Sequence, residues 1–221
     1  MKKEDLSLIL LGAGRGKRYG KEKQFEEING IPVILIALEN FKEFVSNVYI
    51  VLHKRRRLEV SYPFDYSVVK GGEKRQDSVW NALSYINTDF VIIHDGARPL
   101  VSEEVIQKGL FYLKQRKNAI PGIKVRDTIR EWKGDVMKTI DREFLYLIQT
   151  PQFFLTKDIK EGYEFVLKNK KEITDDASSL EYIGKEFVIF EGDPENIKVT
   201  YKEDIRVVEC LLNLRKKRGE C

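Results

Sequence analysis

The chain has 221 residues, of which 42% are hydrophobic and 11% are aromatic. That composition supports a packed core and excludes a chain that is disordered throughout. Lys and Arg number 39 against 35 Asp and Glu, a net charge of +4, which is too small and too scattered an excess to indicate nucleic-acid binding. No apolar run approaches the ~18 residues of a membrane helix. The two cysteines, Cys210 and Cys221, form no disulfide framework, so we expect a cytoplasmic protein with neither a membrane nor a nucleic acid as partner.

The first half of the chain alternates short apolar runs with helical patterns. The runs are rich in Ile, Val and Leu and predict buried strands at Leu6–Leu11, Val48–Leu52, Phe90–Ile93 and Asn118–Val125. Helical patterns lie between and after them at Val33–Phe44, Asp77–Ile86 and Ser102–Leu113. This alternation predicts an α/β fold with a doubly wound, mostly parallel sheet.

The segment at about 126–148 interrupts the alternation. Apolar residues flank the turn signal Lys133-Gly134-Asp135 and predict an inserted β-hairpin. Hairpin edges often pair with something else, so the segment is a candidate dimerisation arm, and a surface flap is an equally good interpretation. We expect residues 1–221 to form one domain that carries this arm.

The last third returns to mixed patterns. Ile159, Tyr163 and Val166 recur at helical spacing. The elements predicted after them are a short helix Asp175–Tyr182 capped by Thr174, strands Phe187–Phe190 and Ile197–Val199, and a final helix Glu203–Arg215.

Glycines and cations are concentrated directly after the first predicted strand. The segment Gly12-Ala13-Gly14-Arg15-Gly16-Lys17-Arg18 lets backbone N–H groups approach a polyphosphate closely. It completes neither the dinucleotide fingerprint, whose third glycine falls on Lys17 or Tyr19, nor the P-loop, where Arg18 replaces the required Ser or Thr. Its cations, with Lys23 close behind, favour a triphosphate whose charge grows as it is cleaved. A tight turn with solvated side chains is the alternative.

A carboxylate stands at the end of another predicted strand. Asp95 lies in the segment His94-Asp95-Gly96-Ala97-Arg98-Pro99, where it can hold Mg²⁺ beside a phosphate loop or cap a turn. We interpret His94 as a packed, hydrogen-bonded histidine rather than a ligand.

Two weaker candidates lie elsewhere in the chain. Gly71-Gly72, followed by Ser78, suits recognition of a planar base by main-chain groups, and a plain βα turn is nearly as good an interpretation. Lys198 can bridge phosphates as a point charge, although surface lysines are common.

A nucleophile with an adjacent general base is missing from the pattern. The two histidines, His53 and His94, have no serine or cysteine placed beside them as a partner in the sequence. The run Lys54-Arg55-Arg56-Arg57 lacks interleaved aromatic residues and is predicted to be a solvated loop.

Taken in order, these motifs and four others resemble a known family. The glycine segment with Lys23-Gln24 resembles the opening of the sugar-phosphate nucleotidylyltransferases. The remaining motifs narrow the resemblance to their methylerythritol phosphate cytidylyltransferases, of the non-mevalonate isoprenoid pathway. Those motifs are His94-Asp95-Gly96-Ala97-Arg98-Pro99, Val125-Arg126-Asp127-Thr128, Gln149-Thr150-Pro151-Gln152-Phe153-Phe154, Thr174-Asp175-Asp176-Ala177-Ser178 and Asn196-Ile197-Lys198-Val199-Thr200. One departure is Leu11-Gly12-Ala13-Gly14 where the family has Pro-Ala-Ala-Gly, which changes the stiffness of the loop.

The resemblance implies a Rossmann-like nucleotidyltransferase, a homodimer with interlocked arms, and a role for each matching residue. CTP, methylerythritol phosphate and Mg²⁺ are the implied ligands. The implied catalytic residues are Arg18, Lys23, Arg142 and Lys198. The implied nucleotide-binding residues are Gly12, Ala13, Gly14, Arg15, Gly16, Gly71, Gly72, Ser78 and Gly96. The acceptor would be bound by Arg98, Thr128, Arg142, Thr174 and Lys198, and the metal by Asp95.

Three other functions remain open from the sequence. A ribitol 5-phosphate cytidylyltransferase would share the fold, and a UTP- or GTP-dependent sugar-phosphate transferase would differ in its nucleotide. A catalytically inactive nucleotide-binding module would bind CTP without releasing pyrophosphate.

Overall fold

The computed structural model describes residues 1–53 and 66–218. The basic run Lys54-Arg55-Arg56-Arg57 and Cys221 lie outside these residues, so the solvated loop predicted there stays a prediction. The strands are β1 (Leu6–Leu11), β2 (Glu27–Ile28), β3 (Ile31–Pro32), β4 (Asn47–Leu52), β5 (Ser67–Lys70), β6 (Phe90–Asp95), β7 (Asn118–Lys124), β8 (Ile129–Lys133), β9 (Val136–Ile140), β10 (Tyr146–Ile148), β11 (Gln152–Leu155) and β12 (Phe187–Glu191). The α-helices are α1 (Val33–Glu39), α2 (Arg75–Leu83), α3 (Glu103–Lys114), α4 (Thr156–Lys168), α5 (Ser178–Glu181) and α6 (Lys202–Arg218).

One eight-stranded sheet organises the molecule. Its order is β10-β7-β11-β6-β1-β4-β5, and β12 also pairs with β7. The strands β6, β1, β4 and β5 are mutually parallel, as are β7 and β12. The strands β10 and β11 run antiparallel to their neighbours. The predicted α/β fold with a mostly parallel sheet is therefore confirmed.

Helices cover both faces of this sheet because the central strand is apolar on both. Leu6, Leu8 and Leu10 of β1 pack into a cluster with α1 and α3. Ile9, between them, points to the opposite cluster, which contains α2, α4 and α5. A strand that is buried on both faces has a continuous apolar sequence. For this reason the positions of β1 and β6 were visible in the sequence.

The predicted hairpin is present between β7 and β10. Strands β8 and β9 pair from Ile129 opposite Ile140 to Lys133 opposite Val136. Gly134, in the turn, has φ = 60°, a conformation that glycine adopts without steric cost. Large apolar side chains stand out from this arm and its base: Trp132 is 75% exposed and Phe144 is 78% exposed.

Several predicted boundaries are wrong. Helix α1 ends at Glu39 rather than Phe44, and Asn40 at its end donates from Nδ2 to the carbonyl of Pro99 (2.9 Å). The strand predicted at Ile197–Val199 is absent. Val199 instead donates its N–H to the carbonyl of Ala97 (2.8 Å), and Ala97 lies in a loop, so no strand ladder continues there.

The short helix predicted to begin at Asp175 begins at Ser178. Its N-cap residue is Ala177, and not Thr174 as predicted; the N–H of Ser178 donates to Oδ1 of Asp175 (3.3 Å). Among the residues described, no helix combines the length and the apolar character that crossing a membrane requires.

Candidate active site

Three glycines lie side by side where the parallel strands end. Gly12 follows β1 and donates its N–H to Val51 (2.8 Å), Gly71 follows β5 and donates to Leu52 (2.8 Å), and Gly96 follows β6 and donates to Leu11 (2.9 Å). Each bond extends the strand ladder by one residue. The carboxyl ends of β1, β5 and β6 therefore meet at one edge of the sheet, which is where such sheets bind ligands.

The glycine-rich loop after β1 is bent back tightly on itself. Gly16 has φ = 60°, and a Cβ placed there would lie 1.7 Å from the carbonyl oxygen of Lys21. Only glycine fits this close approach. Arg15 and Arg18 on this loop are exposed, so their charges face solvent or a ligand.

A buried side chain fixes the loop from behind. Gln24 is 3% exposed, and its Nε2 donates to the carbonyls of Gly12 (2.7 Å) and Gly14 (2.9 Å). No role for Gln24 was predicted from the sequence. The sequence contained Gln24 only as part of the motif Lys23-Gln24. In the structure, a 3₁₀ turn at Lys23–Phe25 places its side chain under the loop.

A second wall of the site is formed by the turn between β5 and α2. A Cβ on Gly71 would lie 2.4 Å from Cβ of Ala13, and a Cβ on Gly72 would lie 2.3 Å from Cβ of Asp77. Ser78 is buried, and its Oγ accepts from the N–H of Gly72 (3.0 Å). The structure thus brings the predicted nucleotide-binding residues of two distant segments into contact.

Asp95, at the end of β6, is the acidic centre of the site. Its Oδ2 accepts from Lys198 Nζ at 2.6 Å and lies 3.9 Å from Arg98 Nε. Its Oδ1 lies 3.4 Å from Arg75 Nε. Burial alone would raise the pKa of Asp95, but the charges of Lys198, Arg75 and Arg98 outweigh burial and hold that pKa well below its usual range. Asp95 is therefore ionised at neutral pH.

His94 holds Asp95 in place and takes no proton at neutral pH. Burial lowers its pKa to about 4, so the ring is neutral. Its Nε2 donates to the carbonyl of Arg98 (3.0 Å), and its Nδ1 lies 3.2 Å from Thr150 Oγ1. Because Nε2 carries the proton of the neutral ring, Nδ1 is an acceptor, and the Thr150 hydroxyl donates to it while accepting the N–H of Asp95 (3.0 Å). The interpretation of His94 as a packed, hydrogen-bonded residue is confirmed.

The predicted cations converge on the same place. Burial, together with the positive charges of Lys198 and Arg18, lowers the pKa of Lys23 to about 8. Like charges act on a pKa in this way only at short range. A cluster of three cations beside the glycine-rich loop is unfavourable by itself, and an anion placed among them would relieve the repulsion.

Arg75 is an additional residue of the site. It begins α2 and lies between two carboxylates, Asp95 and the fully buried Asp176. The sequence places it three residues after Gly72 but offers no sign that its partner would come from position 176, because that pairing joins residues 101 positions apart.

The residues predicted to bind an acceptor divide into two groups. Arg98 and Lys198 adjoin Asp95, and Thr174 lies exposed two residues before Asp176. Thr128 and Arg142 lie instead on the exposed arm, where Arg142 donates to the carbonyl of Arg126. The described contacts of this one chain do not bring these two arm residues to the glycine-rich loop.

The donor set at Asp95 suits a metal ion that is bound together with a substrate. Within residues 1–53 and 66–218 there is no group of three His, Cys, Asp or Glu side chains able to hold a metal ion. Magnesium is commonly held by one or two carboxylates with substrate phosphates and water completing its shell. A single ionised carboxylate beside a glycine-rich loop fits that arrangement.

Cations beside an ionised carboxylate and a glycine-rich loop suit the transfer of a nucleotidyl group from a nucleoside triphosphate, which is the chemistry of the nucleotidyltransferases. The family model described as IspD: 2-C-methyl-D-erythritol 4-phosphate cytidylyltransferase matches residues 6–214. The chain belongs to this family.

Known proteins resemble the chain over almost its whole length. A 2-C-methyl-D-erythritol 4-phosphate cytidylyltransferase of Clostridium perfringens is 40% identical over 215 residues, covering 91% of this chain and 96% of the relative. The structure of 4-diphosphocytidyl-2C-methyl-D-erythritol synthase from Anaerococcus prevotii aligns with a TM-score of 0.83 at 29% identity, covering 96% of this chain and 100% of that one. The cytidylyltransferase structure from Thermus thermophilus aligns with a TM-score of 0.82 at 27% identity, covering 96% and 98%.

Proposed function

We propose that this enzyme transfers the cytidylyl group of CTP to 2-C-methyl-D-erythritol 4-phosphate, giving CDP-methylerythritol and pyrophosphate. The observation that carries the proposal is that Lys198 pairs with Asp95 at 2.6 Å at the edge of the sheet where the glycine-rich loop begins. Lys23 directly precedes Gln24, whose side chain bonds that loop. In the reaction, a phosphate oxygen of the acceptor forms a bond to the α-phosphorus of CTP. The bond from that phosphorus to the bridging oxygen breaks, and pyrophosphate leaves with the electron pair.

The reaction needs no general base. A phosphate monoester has a second pKa near ~6 and is largely a dianion at neutral pH, so it can attack directly. His94 has both ring nitrogens engaged, and its pKa is lowered to about 4 by burial. The residues therefore have two tasks, which are to align two anions and to neutralise the repulsion between them.

We assign the neutralising role to the cations and the binding of the nucleoside to the glycines. Arg18 and Lys23 stabilise the charge that grows on the CTP phosphates, and Lys198 bridges the two substrates. Backbone groups of Gly12, Ala13, Gly14, Arg15 and Gly16 line the nucleotide, and Gly71, Gly72, Ser78 and Gly96 complete its site. On the acceptor side, Arg98 and Thr174 contribute from this chain.

Asp95 would hold Mg²⁺ together with the CTP phosphates. When bound, the ion supplies positive charge that neutralises the triphosphate. Asp95 is ionised without it because three cations surround its carboxylate. Lys198 is partly exposed and bonds Asp95 through one donor. It is therefore the partner that would leave the carboxylate when Mg²⁺ binds there.

A homodimer would complete the acceptor site. Thr128 and Arg142 lie on an exposed arm that carries large apolar side chains, and such surface is commonly buried against another chain. We place the arm of one subunit at the site of its partner. Arg142→Ala is then expected to raise the KM for methylerythritol phosphate more than the KM for CTP, and equal losses would contradict the assignment.

The reaction is tested by pyrophosphate release with CTP and either methylerythritol phosphate or ribitol 5-phosphate. We expect rapid release with the first acceptor, and much slower release with the second acceptor or with UTP or GTP. CTP binding without any release would indicate an inactive module. Lys23→Ala is expected to lower kcat strongly while CTP still binds, because Lys23 acts on charge that develops during the reaction.

The shared site is tested by mixing Lys23→Ala, which lacks turnover, with Arg142→Ala, at a methylerythritol phosphate concentration far below the raised KM of the second variant, where each variant alone has little activity. Random exchange of subunits makes half of the dimers mixed, and each mixed dimer has one intact site, so activity should recover to about a quarter of the wild-type level. Equal mixing without recovery would exclude a site built from two chains. A cytoplasmic location, which we infer from the scarcity of cysteines, is tested by cell fractionation.

A further inference from the structure

A buried carboxylate outside the proposed reaction lies directly behind the site. Asp176 is fully buried, and both of its oxygens are occupied by Arg75: Nη1 donates to Oδ1 at 2.8 Å and Nη2 donates to Oδ2 at 2.7 Å. This two-point contact fixes the plane of the guanidinium group as well as its position.

A second donor secures the same carboxylate. Tyr163 on α4 is fully buried, and its hydroxyl donates to Oδ1 of Asp176 at 2.5 Å. Burial, and then the charge of Asp176, raises the pKa of Tyr163 well above its usual value, so the hydroxyl keeps the proton that it donates. Asp176 is thus anchored to the core from one side and to Arg75 from the other.

The remaining nitrogen of Arg75 faces Asp95. Its Nε lies 3.4 Å from Oδ1, while the opposite oxygen, Oδ2, takes Lys198 at 2.6 Å. The two oxygens of Asp95 therefore have different partners. Oδ1 faces Arg75, which is fixed to the core, and Oδ2 faces Lys198, which is partly exposed, with Arg98 Nε further away at 3.9 Å.

We propose that Arg75, held by Asp176 and Tyr163, is a positioning residue that sets the orientation of the Asp95 carboxylate for the bound metal and nucleotide. The inference rests on the proposed function, because it concerns the same site. Arg75 differs from the other cations there, since moving it onto a phosphate would leave Asp176 buried and unpaired. Arg75 stays with Asp176, and the cations that meet the substrates are Lys23, Arg18 and Lys198.

The test uses the full-length enzyme and measures the Kd of CTP calorimetrically, with and without Mg²⁺. Asp176→Asn keeps the shape of the side chain but removes its charge, and Asp158→Asn is the matched control. Asp158 is also buried and paired, with Lys185 (2.9 Å) and Asn118 (3.0 Å), but it has no contact with Asp95 among those described. Groups that orient a metal-binding carboxylate are worth about 10- to 100-fold in affinity or activity.

We expect Asp176→Asn to weaken CTP binding in the presence of Mg²⁺ by about 10-fold or more, and to change it much less without Mg²⁺. Asp158→Asn should leave both Kd values unchanged, even if both variants melt at lower temperature. In an Asp95→Asn background, Asp176→Asn should have little further effect on the Mg²⁺-dependent binding, because the group it positions is gone.

Three results would overturn the proposal: an unchanged Mg²⁺-dependent Kd in a folded Asp176→Asn variant, an equal effect from Asp158→Asn, or full additivity with Asp95→Asn. Wild-type enzyme that binds no CTP would instead refute the proposed function. Arg75→Lys, which keeps the charge and loses the two-point contact, should behave like Asp176→Asn, and wild-type binding by this variant would also count against the positioning role.

Discussion

The support of the glycine-rich loop by Gln24 gives a quantitative prediction. Gln24→Met keeps the approximate volume of the side chain and removes both N–H donors. Gly12 and its bond to Gln24 are buried, whereas Gly14 is exposed and its carbonyl can take water. One buried carbonyl left without a partner costs about 2 kcal/mol. Since Gln24 holds the loop in its binding conformation, a loss of that size corresponds to a decrease of about 30-fold in kcat/KM for CTP.

The matched control is Gln149→Met. Gln149 is 5% exposed, and its side chain makes two hydrogen bonds to the backbone, as that of Gln24 does. Its Nε2 donates to the carbonyl of Asp193 (2.8 Å), and its Oε1 accepts from the N–H of Asp193 (3.2 Å). Pyrophosphate release gives kcat/KM, and urea unfolding gives stability. Both variants should lose a similar free energy of unfolding, but only Gln24→Met should lose kcat/KM. Equal kcat/KM in the two variants would refute the reasoning that Gln24 orders the loop.

Three more predictions concern single groups of the site. The kcat should fall as the pH rises above about 8, because the pKa of Lys23 is lowered to about 8 and deprotonation removes a positive charge. A profile of kcat against pH should show the bend, and persistence of the same bend in Lys23→Arg would contradict it. Thr150→Val leaves the N–H of Asp95 and Nδ1 of His94 without their partner. It should lower the free energy of unfolding, measured by urea denaturation, by about 2 kcal/mol. A loss below about 0.5 kcal/mol would argue against a hydroxyl that bridges the two groups. Gly71→Ala places a Cβ 2.4 Å from Cβ of Ala13. The overpacking, which costs about 1–3 kcal/mol, should raise the KM for CTP. An unchanged KM would show that the glycine-rich loop and the turn after β5 can move apart freely.

The parts of the fold that depend on local pattern were predictable. The strands β1 and β6 are continuous apolar runs, and the arm has a turn signal at its centre, so each was visible in the sequence. β11 was not predicted, because its apolar stretch is short. Its antiparallel pairing with β6 and β7 depends on tertiary contacts that a local pattern does not contain. The false strand at Ile197–Val199 had the right alternation, but its neighbour in space, Ala97, belongs to a loop.

The candidate site was predictable where each segment carried its own signal. The glycine-rich loop, Asp95 and Lys198 were singled out separately, and the structure brings them together. Gln24 and Asp176 were missed as functional residues, because their importance lies in partners that only the folded chain supplies. Gln24 bonds backbone carbonyl groups, and since every residue has one, the sequence does not indicate which carbonyl a side chain will meet. The partner of Asp176, Arg75, is 101 positions away.

The position of β5 as the outermost strand bears on how this kind of enzyme can change its choice of nucleotide. Three of its four residues, Ser67, Val68 and Lys70, are exposed, and the Gly71-Gly72 turn follows directly. Mutations at a sheet margin disturb little packing, whereas β6, which carries Asp95, is buried along its whole length. On the proposed assignment, substitutions at the exposed positions of β5 can alter the surroundings of the base at little cost to the fold, although the two glycines after it cannot carry a side chain. Substitutions in β6 would disturb the core.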